Sequence, residues 1–212
     1  MMTNDILQLA PNERLPDRPF THPENTEADY ADLERIRALL CEVLQHAVPN
    51  QVPYEISSSH QRLIILNREV LLSVQPITVV GFCAHRRSNL SQALLDEMSV
   101  VDGDLVQELA QHSDMLTYSS IQLQDGNWKN LVLLRSDAGV GHWRDSQRHH
   151  YAANMLTPVY YAQVRLHNGV LPQGLSSPNI VLTSTKYYDF DSAPTWRAVR
   201  LSTPDPWEGS RF

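Results

Sequence analysis

The tripeptide Asp125-Gly126-Asn127 separates two β-rich runs, MLTYSSIQLQ (115–124) and WKNLVLLRS (128–136). An Asp-Gly turn between alternating strands is a strong hairpin signal. What flanks the hairpin constrains the fold further. Before it, ITVVGFCAH (77–85) reads as a short apolar strand. Ser88-Asn89 can then cap a helix from Leu90 to about His112, which carries Leu94, Leu95, Met98, Val101, Leu105 and Leu109. After the hairpin, Ser136 or Asp137 can cap a helix that reaches about Leu156, where Thr157-Pro158 stops it. VYYAQVRLHNG (159–169) alternates as a strand and closes at Asn168-Gly169. From Ile77 the order is strand, helix, strand, strand, helix, strand, the split βαβ arrangement of a ferredoxin-like α+β sheet.

The flanks read differently. Residues 1–26 hold Pro11, Pro16, Pro19 and Pro23 with no sustained period, which predicts an arm or loose lead-in. From Thr26, a capping residue, Leu33, Ile36, Leu40, Val43 and Leu44 recur at helical spacing to about His46. RLIILNREVLLSVQ (62–75) reads as a β-like run, and IVLTSTKYYDF (180–190) as an added edge strand. The tail from Asp191 carries Trp196, Trp207 and Phe212 among prolines, too aromatic for an ordinary disordered end, so it is expected to dock. Three regions follow: an N-terminal arm, helix and strand extension (1–76), the ferredoxin-like domain (77–190) and an aromatic tail (191–212).

Charge and cysteine content narrow the partners. Among 212 residues, 17 basic side chains face 24 acidic ones, for a net charge of −7. Such a balance gives no field for a polyphosphate, so nucleic acid is not an expected partner. Lys129 and Lys186 are the only lysines. The other cations are arginines, suited to fixed bidentate contacts. Cys41 and Cys83 are far apart and lack CxxC spacing, which predicts reduced thiols and a cytoplasmic setting. No apolar run is long enough to span a bilayer, so no membrane partner is expected.

The hairpin, the helix holding HWRDSQRHH and the strand VYYAQVRLH together resemble the dimeric α+β barrel superfamily, which includes antibiotic-biosynthesis and haem-degrading monooxygenases. The resemblance covers about residues 77–190. It implies a homodimer in which two sheets face each other as a barrel, with a small organic ligand in a cleft beside the sheet. Leu134 stands where haem-degrading members carry a tryptophan, and ITVVGFCAH lacks their asparagine.

Candidate site residues come from two elements. On a continuous helix, Val140, Tyr151 and Met155 define an apolar face, with His142, Ser146 and His149 nearly opposite. His150 lies beside Trp143 on the shoulder of that face, where it can reach a cleft as ligand, acid or base; the alternative is a structural or exposed role. His142 and His149 stand roughly 10 Å apart along the axis. They cannot chelate one ion, and no metal is expected. On the following strand Tyr161, Gln163, Arg165 and His167 share one face. If that face is covered, Arg165 needs an anion or a carboxylate partner. Tyr118 can supply a phenol to the same cavity, against a core role with a hydrogen-bonded tip. Cys83 and His85 share a strand face, but roughly 7 Å is too far for direct activation of a thiolate.

What the resemblance implies, with these residues as candidates, is a small-molecule enzyme for an aromatic or polyketide-like substrate, acting without a cofactor as oxygenase, isomerase or cyclase. His150, Tyr118 and Arg165 would be catalytic, and Trp143, Tyr161, Gln163 and His167 would bind substrate. The rivals are a haem-binding protein using the helix histidine and a non-catalytic ligand-binding or scaffold protein.

Overall fold

A computed structural model describes residues 6–46, 53–109 and 111–202. They form a mixed α+β structure on one nine-stranded sheet, ordered β1-β9-β8-β7-β4-β6-β5-β3-β2. The strands are β1 (Leu7–Leu9), β2 (Tyr54–Ser57), β3 (Gln61–Ile65), β4 (Ile77–Arg86), β5 (Met115–Gln122), β6 (Trp128–Leu134), β7 (Tyr161–Leu175), β8 (Val181–Asp189) and β9 (Trp196–Leu201). The helices are α1 (Pro23–Gln45), α2 (Arg68–Leu71), α3 (Gln92–Leu109), α4 (Asp137–Asp145), α5 (Gln147–Tyr151) and α6 (Thr157–Tyr160). Among the described residues no helix is long and apolar enough to cross a membrane.

The expected succession from Ile77 appears as β4, α3, β5, β6, α4 to α6 and β7, with β6 lying between β4 and β5. Gly126, at φ +81°, makes the expected turn, a backbone conformation that costs glycine no Cβ clash. The sheet is nonetheless larger than a four-stranded unit. It runs unbroken into β3 and β2 on one side and into β8, β9 and β1 on the other.

Several local expectations are corrected. The run 62–75 is not one strand: Asn67 accepts a hydrogen bond from the Val70 amide at 3.0 Å and starts the short α2. Strand β7 does not end at Asn168-Gly169. A register shift there makes a bulge, where a Cβ on Gly169 would lie 2.7 Å from the Val181 carbonyl oxygen. Strand β8 is not an edge, because the tail supplies β9 beside it. The proline-rich arm is tied down too. Arg200 donates to the carbonyls of Pro11, Glu13 and Thr21, and Phe20 packs edge-on against Tyr187 and Trp196. Trp207 and Phe212 lie outside the described residues.

Both faces of the central strands are covered. On one, Leu33, Ile36, Leu40 and Leu44 of α1 pack on Ile65, Val79, Leu131 and Leu133, all at most 3% exposed. Each such side chain contributes about 1.5–3 kcal/mol. Gly81 lets the helix settle closely, since a Cβ there would meet Leu33 Cδ1 at 2.5 Å. On the other face Val106 of α3 packs with Ile64, Met115 and Leu134, joined by Val140 of α4. A barrel of two sheets needs a bare central face, and α1 occupies the one that α3 and α4 leave open. Among the described residues the central strands thus leave no bare face of the kind that the expected sheet-to-sheet pairing of two copies would use.

Candidate active site

The expected helix 137–156 is interrupted. Ser146 adopts extended geometry (φ −62°, ψ 130°), and its Oγ accepts the His149 amide at 3.1 Å, so α5 starts afresh. A π-helical turn follows over Ala152–Leu156. These breaks reset the helical phase. Tyr151 and Met155, expected on the apolar face, are 43% and 61% exposed. His150 faces solvent, whereas His149 is half-buried and lines a cavity. The side chains of His142 and Trp143 lie outside the described residues.

That cavity, of about 230 Å³, lies between the sheet and the layer formed by α3 and α5. Its inner wall is apolar, with Val80, Phe82, Leu105, Met115, Val132 and Leu166. Ala152 and Ala153 of the π turn contribute little bulk to its roof. It adjoins a polar vestibule of about 440 Å³ containing Glu55, Arg62, Ser99, Ser120, Trp128 and Tyr160. Met98, Asp102, Tyr118, Asn130 and Tyr161 line both spaces and so form the neck between them.

The neck concentrates the chemistry. Arg62 donates to Asp102 Oδ2 at 2.8 Å and to Glu55 Oε1 at 3.0 Å, while the Tyr118 hydroxyl makes a long 3.5 Å contact to Asp102 Oδ1. Desolvation by the cleft walls pushes the Asp102 carboxyl above its usual value, and Arg62 and Tyr118 pull against that rise. The carboxylate is not sealed away: 42% of its side chain stays accessible. Burial, followed by the charge of Asp102, holds the Tyr118 phenol well above its ordinary value, so it stays a donor at neutral pH. Burial does the same for Tyr161.

The other predicted strand residues separate from this cleft. A bulge between His85 and Arg86 of β4 pairs Arg86 with Tyr161, which puts Tyr161 against Phe82 (ring centroids 5.5 Å apart) and away from Gln163, Arg165 and His167. Arg165 and His167 sit across the sheet under α1. There the Asp29 carboxylate accepts from Arg165 Nη2 at 3.0 Å and Arg165 Nε at 2.5 Å, is 2.9 Å from His167 Nε2, and pairs with Lys129. His167 also meets Thr185 Oγ1 at 2.9 Å. The carboxylate partner expected for Arg165 is therefore Asp29. Gln163 lines a separate open pocket of about 340 Å³ on that same face, with Arg165 and Lys129.

Asp29, Cys83 and His167 bring three ligand-type atoms within 4.8 Å of one another. Lys129 and Arg165 already hold the Asp29 oxygens and oppose an added cation. Burial pushes the Cys83 thiol far above its usual range, away from the thiolate a metal needs. Asp29 and Asp102 were not singled out in sequence, yet both carried a signal. Asp29 stands four residues before Leu33, and Asp102 four after Met98, each an acid on an apolar helical stripe.

No protein-family model and no curated protein matches the chain. Solved structures resemble it in part. A Pseudomonas aeruginosa protein aligns at TM-score 0.36 and 14% identity over 44% of this chain and 91% of its own. A candidate monooxygenase from Lactobacillus acidophilus aligns at 0.38 and 8% over 57% and 53%. An aldoxime dehydratase aligns at 0.27 and 11% over 66% and 36%. At TM-scores below 0.5 these likenesses assign no chemistry to the chain.

Proposed function

We propose that the cleft binds a small, largely apolar, ring-containing organic molecule and moves a proton on it. The observation that carries this reading is the neck, where Asp102 and Tyr118 meet at the mouth of an apolar chamber. Pockets of this kind, apolar with a few convergent polar groups, are where small-molecule sites lie. The Asp102 carboxylate accepts a proton from a carbon beside a carbonyl, and the Tyr118 phenol donates a hydrogen bond to the enolate oxygen that develops. Phe82 and Tyr161 wall the ring system. Deprotonation of this kind opens an isomerase or cyclase route, and also the first step of a cofactor-independent oxygenation. In this reading Tyr118 and Tyr161 keep the roles expected for them. Asp102 takes the role expected of His150, and Arg165, Gln163 and His167 belong to the α1 face. The unit β4 to β7 is read as ferredoxin-like, with regions 1–76 and 191–212 extending its sheet, and the sheet-to-sheet homodimer is not retained.

Haem held by His150 is not part of this reading, because that side chain is exposed and does not line the chamber.

The test uses 2-tetralone, a bicyclic ketone with acidic α-hydrogens, in D₂O, with exchange followed by NMR. The protein should accelerate α-exchange, and Asp102→Asn should lower that rate by about 10²–10⁴-fold while the ketone still binds. Binding without exchange would favour the non-catalytic ligand-binding reading. Exchange unaffected by Asp102→Asn would overturn the assignment.

A further inference from the structure

Resting on that reading of the cleft, we infer that its occupant is an amphiphile with a cationic, amine-type head, held in the vestibule while its ring system fills the chamber. The apolar chamber accounts for the body. The vestibule decides the head. Three aromatic rings run from chamber to vestibule in edge-to-face contact: Phe82 meets Tyr161 at 5.5 Å between centroids, and Tyr161 meets Tyr160 at 4.8 Å. Trp128, which also lines the vestibule, adds a fourth aromatic side chain. Aromatic faces attract ammonium and guanidinium groups through the ring quadrupole.

The charged groups point the same way. Of those lining the vestibule, Glu55 and Asp102 are acids and Arg62 is the single base, and its guanidinium is already bonded to both. Among the described residues lining the vestibule there is no second base for a carboxylate or phosphate head. The helix that roofs the cleft strengthens this sign, since α3 carries Asp96, Glu97, Asp102, Asp104 and Glu108 and no basic residue. An anionic head would face net repulsion in a partly desolvated space, and a cationic one net attraction.

Three probes with one ring system and different heads separate the outcomes: 2-(2-naphthyl)ethylamine, 2-(2-naphthyl)ethanol and 2-naphthylacetic acid, titrated by calorimetry at pH 7 and low salt. The amine should bind about tenfold tighter than the alcohol, and the acid weakest, with the spread shrinking at high salt. Glu55→Gln should cut the amine's affinity severalfold and shift the alcohol's less than twofold. Trp128→Leu, which leaves the charges untouched, should also weaken the amine selectively. If all three probes bind alike, or the acid binds best, the head-group inference fails and the cleft reading stands. If none binds, the cleft reading itself fails.

Discussion

The strongest energetic prediction concerns Asp29, whose side chain is 1% exposed and faces Lys129, Arg165 and His167 at once. Asp29→Asn keeps the volume and removes the charge. Lys129 then retains Asp32, at 3.5 Å, and Arg165 keeps a 3.4 Å contact to the Phe20 carbonyl. Two cations are left without their shared carboxylate under α1. Breaking a buried pair in this way costs about 3–5 kcal/mol. For a chain of this size that corresponds to a fall in melting temperature of about 6–20 °C. Urea denaturation followed by circular dichroism should show a lower midpoint at unchanged slope. The pH dependence supplies a second readout. Burial works to raise the Asp29 carboxyl, but hydrogen bonds from Arg165 and His167, with the charges of Arg165 and Lys129, outweigh it and hold the folded pKa well below the ordinary value. A depressed folded pKa gives stability that is present above the unfolded value of about 3.9 and is lost as pH falls through it toward the folded value. The wild type should therefore lose stability steeply below about pH 5, and Asp29→Asn more gently. A loss under about 1 kcal/mol, or superimposable pH profiles, would refute the idea that this carboxylate anchors α1 to the sheet.

Gly174 has φ +59°, and a Cβ there would collide with the Ser73 carbonyl oxygen, so Gly174→Ala should destabilise by at least about 1–2 kcal/mol in the same denaturation assay. Ser146→Ala removes the cap of α5 and should cost about 0.5–2 kcal/mol, with faster amide exchange at His149 than in the wild type. Haem titration should give no protein-dependent Soret band, and His150→Ala should leave the visible spectrum unchanged; a band lost in that variant would restore a haem role for the helix histidine.

Where a local period repeats without interruption, the sequence was a sufficient guide. The α1 stripe Leu33, Ile36, Leu40 and Leu44 is buried as its spacing requires, and the Asp125-Gly126-Asn127 turn joins β5 to β6. Where one side chain breaks the period, it was not. Asn67 and Ser146 each cap a new helix, and the second of these exchanged the positions of His149 and His150 relative to the cleft. The bulge opposite Arg86 did the same to Tyr161.

The succession of elements around the hairpin thus belongs to the sequence, because turn chemistry and apolar spacing act within a few residues of themselves. The convergence of Asp102 with Tyr118, and of Asp29 with Lys129, Arg165 and His167, belongs to the tertiary structure. Those partners stand 16 to 138 residues apart, and a carboxylate on an apolar stripe acquires its meaning from the surface onto which the stripe folds.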